Sequence, residues 1–142
     1  MLLHLLATTT VAVPYGTYAD ADHALGKRER HIQAETLKTP IAHALQTHTI
    51  HWLIPVEPQT LSVNIGDTVT FDWTEGQLPH NVYRSATESD FDSCATSGGE
   101  FVAPVAIGSS YSVTLNEPGT VYYICSVPGH CSGGQKIAIT VS

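Results

Sequence analysis

Most of the chemistry in this sequence is gathered in one short segment, Tyr123-Ile124-Cys125-Ser126-Val127-Pro128-Gly129-His130-Cys131-Ser132-Gly133-Gly134-Gln135-Lys136. It holds a thiol at Cys125, an imidazole five residues on at His130 and a carboxamide five further at Gln135, with a Pro-Gly turn reversing the chain between the first two. A second imidazole, His80, stands in Pro79-His80-Asn81-Val82, where another apolar stretch begins. Two imidazoles and one thiolate in a plane, with a weaker axial donor, suit a copper ion that alternates between Cu(I) and Cu(II). His80, Cys125 and His130 supply the plane and Gln135 the axial position. The only methionine is Met1, so a thioether axial donor is excluded. An amide oxygen there favours Cu(II), which lowers the reduction potential relative to a thioether site.

The three cysteines allow one disulfide and leave one thiol over, and a metal accounts for that thiol. With Cys125 given to copper, Cys94 and Cys131 remain and are paired. A Cys94–Cys125 bridge would leave no thiolate and would end the copper reading. A structural zinc on Cys125, His130 and Cys131 would strand Cys94 and ignore the spacing to Gln135. A multicopper oxidase needs His-X-His pairs, a spacing that His48-Thr49-Ile50-His51 lacks. Copper carriage without redox chemistry would want readily exchanged ligands, whereas a disulfide-locked loop suits retention. The expectation is a carrier of single electrons, not an enzyme.

Positioning these donors falls to strands. From Thr47 onward apolar residues alternate with polar ones, the period of a half-buried strand. Ile50 and Trp52 form one such face; Leu61, Val63 and Ile65 another, ahead of a Gly66-Asp67 turn; Val69, Phe71 and Trp73 a third. Further strands are expected over His80–Arg84, Phe101–Ile107, Tyr111–Leu115, Val121–Val127 and Lys136–Val141, with a polar, partly helical or looped insert over Ser85–Gly99. The pattern predicts an all-β domain over residues 48–142, a Greek-key sandwich or barrel of seven to eight strands read as antiparallel. Trp52, Trp73, Tyr122 and Tyr123 are expected to be core or edge aromatics.

The chain of 142 residues has room for one such domain, and its net charge of −7 lies wholly downstream of His48. Upstream, four basic residues balance four acidic ones; downstream, Arg84 and Lys136 face nine carboxylates. No basic stripe exists for a nucleic-acid backbone. An acidic field instead speeds encounter with a basic redox partner, and Glu88, Asp90 and Asp92 are read as a solvated face. Residues 1–19 have the order of a signal peptide, an apolar run before a small-residue site, although they lack a basic start. Residues 20–47 read as a linker or pro-segment, and the histidines scattered from His23 to His51 as surface residues. No run is long and apolar enough to span a membrane. A secreted or lumenal monomer is expected, exchanging electrons with a redox protein or a small molecule.

The segment Tyr123 to Lys136 resembles the phytocyanin signature, in which a strand Cys, a Pro-Gly-His-Cys turn and a Gly-Met/Gln-Lys step follow one another. Its glutamine form is similar to stellacyanins. The resemblance runs from about Thr47 to Ser142, takes in Asp90-Phe91-Asp92-Ser93-Cys94, and implies the cupredoxin fold with a Cys94–Cys131 disulfide. Pro79-His80-Asn81-Val82 looks more like plastocyanin, a likeness that gives Asn81 the task of tying the two ligand-bearing strands together. By the family's pattern His130 is the exposed edge of the site, ringed by Leu78, Pro79, Val127 and Pro128 as a docking patch.

Overall fold

The computed structural model describes residues 42–142, so the expected signal segment and most of the expected linker lie outside the described residues. Eight strands and one short helix follow in order: β1 Thr47–His51, β2 Thr60–Val63, β3 Thr68–Asp72, β4 Pro79–Arg84, α1 Glu88–Ser93, β5 Glu100–Ile107, β6 Ser110–Thr114, β7 Gly119–Ile124 and β8 Lys136–Val141. They form two sheets, one of order β1-β3-β6 and one of order β2-β8-β7-β4-β5.

Alternation explains the packing between them. Val69, Phe71, Val82, Tyr123, Ile137 and Ile139 turn inward from their strands, and Trp52 and Trp73 join them just past strand ends. Phe71 lies at the centre, edge-on to Trp52 at 4.9 Å and to Tyr123 at 5.0 Å. Burying each such side chain contributes about 1.5–3 kcal/mol, and edge-to-face aromatic pairs add about 0.5–1.5 kcal/mol. The Trp73 indole donates to the Ala106 carbonyl at 3.0 Å, which fastens the end of β3 to β5 in the other sheet. Tyr122 alone of the four singled-out aromatics is half-buried, its ring tilted against that of Phe91 in α1 at 5.2 Å.

Two strand pairings differ from the antiparallel expectation. β1 runs parallel to β3, and β2 parallel to β8. Parallel neighbours need a crossover, and here β2, in the second sheet, separates β1 from β3 along the chain. Two boundaries also shift. Ile65 leaves the expected β2 face and is exposed, because Asn64–Asp67 is already a turn. That turn is organised by Asp67, whose buried carboxylate accepts from the backbone N–H of Asn64 and Gln46 and from the His48 ring. β7 stops at Ile124, short of the expected Val127, where the Cys125 N–H turns to the Gln135 carbonyl and the Ser126 N–H to the Asn81 side chain instead of a backbone ladder.

The expected insert becomes α1. Thr87 caps it, its hydroxyl accepting from the Asp90 N–H, and acidic residues occupy the first turn, where the helix dipole favours them. Cys94 ends it in the left-handed region at φ 57°.

Candidate metal centre

The candidate donors come from one end of the larger sheet. β4 starts there, β8 starts there, and antiparallel β7 ends there. His80 is the second residue of β4, Cys125 follows β7, and Gln135 precedes β8.

Between Cys125 and Gln135 the loop folds on itself. Backbone bonds run from His130 to Val127, Gly133 to Gly129, Gly134 to Cys131 and Gln135 to His130, and the Cys125 N–H closes the loop onto the Gln135 carbonyl at 3.0 Å. Gly134 sits at φ +99°, and a Cβ there would meet the Pro55 Cβ at 2.8 Å, so both conformation and space require glycine. The Cys94–Cys131 disulfide ties the residue after His130 to the end of α1. Lys136 secures the same end, its ammonium donating to the carbonyls of Phe91 and Asp92 and standing 4.8 Å from the Phe91 ring. With Cys131 in that bridge, a zinc set of Cys125, His130 and Cys131 is ruled out; Cys125 is the free cysteine, fully buried.

The ligand atoms of His80, Cys125 and His130 all lie within 4.8 Å of one another. The two rings turn the same nitrogen inward, Nδ1 of His80 and Nδ1 of His130 being 3.1 Å apart, and the Cys125 Sγ is 3.4 Å from the latter. Burial holds the His80 imidazole below its ordinary pKa, and the neighbouring His130 pushes it the same way. Burial pushes the Cys125 thiol up, against the backbone N–H groups of Asn81 and Val127 facing the sulfur. Without a cation the pocket therefore favours neutral imidazole and thiol, the forms that leave least charge buried.

Gln135 is fully buried beside them. Its Nε2 donates to the Trp52 carbonyl at 2.7 Å, while its Oε1 is buried without a hydrogen-bond partner. Buried amide oxygens are rarely left so. This oxygen faces the His80 ring closely enough to favour the protonated imidazole, yet without the geometry of a hydrogen bond. An orphaned hard oxygen next to two imidazole nitrogens and a thiol is a donor set that fits one copper ion in either oxidation state.

Asn81 connects the two strands that carry ligands. Its Oδ1 accepts from the Ser126 N–H at 2.8 Å and its Nδ2 donates to the Ser126 hydroxyl at 2.8 Å. The Trp52 indole donates to the Asn81 carbonyl at 2.8 Å. Sequence reasoning placed Trp52 in the core and missed this link; only the burial of an indole N–H, which requires an acceptor, could have signalled it. Of the expected patch residues, Leu78 and Pro128 are exposed and Pro79 and Val127 half-buried, as is His130 itself.

The plastocyanin-like domain family matches residues 47–135. The chain is 38% identical over 85 residues to the chemocyanin of Lilium longiflorum, covering 60% of this chain and 62% of that protein. It is 34% identical over 84 residues to the stellacyanin of Toxicodendron vernicifluum, covering 56% of this chain and 68% of the other. Among solved structures, spinach plantacyanin superimposes with a TM-score of 0.53 at 30% identity, over 68% of this chain and 99% of that one. Of the curated relatives, the chain spans only part, from 34% of a Petunia hybrida blue copper protein to 68% of a Cucumis sativus cupredoxin. Strands β1 to β7, the loop and its buried donors all fall within residues 47–135, and the chain belongs to the plastocyanin-like family of blue copper proteins, among the phytocyanins.

Proposed function

We propose that this domain carries single electrons between redox partners, and that His80, Cys125, His130 and Gln135 would together hold one copper ion. When bound, the ion would supply a one-electron Cu(I)/Cu(II) couple. The observation that carries this reading is the uncommitted Oε1 of Gln135 buried against three converged donors. The protein's own part is to hold those donors still. Cys125 is anchored through its N–H to Gln135, His80 through β4, and His130 through a self-bonded loop pinned by the disulfide. Donors that do not move between oxidation states keep the cost of electron exchange low.

Four protein donors leave no position for a substrate, which supports a carrier rather than an enzyme. Half-buried His130 is the edge through which electrons leave, and Leu78, Pro79, Val127 and Pro128 form the docking patch around it. The acidic face of Glu88, Asp90 and Asp92 favours a basic partner. Residues 1–19 direct the chain to a secretory or lumenal compartment, consistent with a disulfide, and the linker expected over residues 20–47 gives way to the domain at Thr47, where β1 begins. Among the described residues no helix is long and apolar enough to cross a membrane.

The test is the spectrum of the purified protein with Cu(II). An intense absorption near about 600 nm, the copper–thiolate signature, is expected and should vanish in Cys125→Ser. A colourless wild-type complex refutes the reading. Lysine or aspartate at Leu78 or Val127 should change exchange rates with a redox partner; unaltered rates would remove the docking patch.

A further inference from the structure

We infer that Trp52 is a positioning residue for the axial donor: it decides which end of the Gln135 amide faces the other ligands. This rests on the reading of Gln135 as fourth donor. The two ends of a carboxamide are nearly equal in shape, so packing alone would let a buried glutamine present either its oxygen or its NH2. Only the oxygen can bind a metal. A carbonyl can only accept, so an acceptor on one side of the amide forces the NH2 toward it and the oxygen away.

The Trp52 carbonyl is that acceptor, 2.7 Å from Gln135 Nε2. It is free for the task because β1 ends at His51 and its partner β3 at Asp72, so Trp52 lies one residue past the ladder. Its position is itself determined at several points. The Trp52 N–H donates to the Asp72 carbonyl at 2.8 Å, the indole N–H to the Asn81 carbonyl at 2.8 Å, and the ring stands edge-on to Phe71. Asn81 in turn holds Ser126, and the Cys125 N–H bonds to the Gln135 carbonyl. The bonds close a circuit, Trp52 to Asn81 to the Cys125–Ser126 step to Gln135 and back to Trp52. Each vertex is a ligand or the neighbour of one, save Trp52 itself. Trp52 directly follows β1 and is bonded through its N–H to the end of β3, so through it the β1-β3-β6 sheet sets the orientation of a donor that the other sheet carries.

Two replacements test this on the copper-loaded full chain: Trp52→Phe, and Trp52 replaced by benzothienylalanine, which keeps the bicyclic shape but lacks the N–H. Each is made in wild type and in Gln135→Leu, and potentials are measured by voltammetry alongside the Cu(II) electron paramagnetic resonance spectrum. Loosening Trp52 should raise the wild-type potential by at least half the rise that Gln135→Leu produces, broaden the Cu(II) spectrum, and add nothing in the Gln135→Leu background. An equal rise in both backgrounds, or a lowered melting temperature with an unchanged potential and spectrum, overturns the inference. If Gln135→Leu alone leaves the potential unmoved, the four-donor reading fails and takes this inference with it. The benzothienyl chain decides the matter should Trp52→Phe not fold.

Discussion

Gln135→Met separates the two tasks of this side chain. In the wild type its Nε2 satisfies the Trp52 carbonyl, and its Oε1 has no hydrogen-bond partner. Methionine is unbranched and adaptable, so the space stays filled. Without metal, the exchange removes one stranded oxygen and creates another, at Trp52. Each such group costs about 1–3 kcal/mol, so the two effects offset, and the metal-free stability should change by less than about 1 kcal/mol. With Cu(II) bound the proposed ligation predicts a different balance, because the wild-type oxygen would then be engaged while the variant's Trp52 carbonyl stays stranded. Losing an oxygen donor weakens Cu(II) more than Cu(I). If that difference equals one such group, about 1–3 kcal/mol, the one-electron potential rises by roughly 40–130 mV, since a tenfold change is about 59 mV. Voltammetry reads the potential, and urea denaturation with and without copper reads the two stabilities. A potential that falls or stays level refutes axial ligation. A metal-free variant destabilised as much as its Cu(II) form refutes the offset.

The disulfide and the far end of the domain each give a further expectation. Cys94 and Cys131 are 37 residues apart; a closed loop of that length is worth about 4 kcal/mol in the chain-entropy model, so replacing both with serine should lower the metal-free Tm by roughly 15–30 °C. A drop of a degree or two by calorimetry would mean that the loop's own backbone bonds suffice. At the opposite pole, hydrogen bonds from His48 first, then from the Gln46 and Asn64 N–H groups, hold the Asp67 carboxyl well below the usual carboxylate range. Its folded pKa is thus lower than its unfolded one, so its contribution is full above the unfolded value of about 3.9 and is lost as pH falls toward the folded value. Asp67→Asn should be less stable at neutral pH and should lose less on acidification from pH 5 to 2, as thermal melts across that range will show; parallel acid slopes for the two proteins would contradict the assignment.

The candidate metal centre was legible because chemistry and proximity coincide in the chain: three of the four proposed donors lie within eleven consecutive residues, Cys125 to Gln135, and a Pro-Gly turn announces the reversal. Strand faces were legible for a similar reason. Period-two alternation states which side of a strand is buried, and Val69, Phe71, Ile137 and Ile139 are buried as it requires. Alternation carries no information about which strand lies alongside or in which direction, so the parallel pairings β1–β3 and β2–β8 could not be read from it. The same limit applies to Ile65, which continues an apolar alternation yet is exposed, because Asp67 draws the backbone of Asn64 and Gln46 onto its carboxylate and ends the strand first.

Trp52 shows where the boundary lies. Its side chain, large and apolar with one N–H, places it in the core on any reading of the sequence. Its carbonyl, which turns the Gln135 amide, is the same atom that every residue has, and it becomes significant only because two strands end one residue earlier. Donor identity is written in side chains, and therefore in sequence. Donor orientation is supplied by main-chain groups that a neighbouring sheet leaves free, and it appears only when both sheets are built. It follows that substitutions shifting the ends of β1 or β3, remote from every ligand, should disturb the axial donor before they disturb His80, Cys125 or His130.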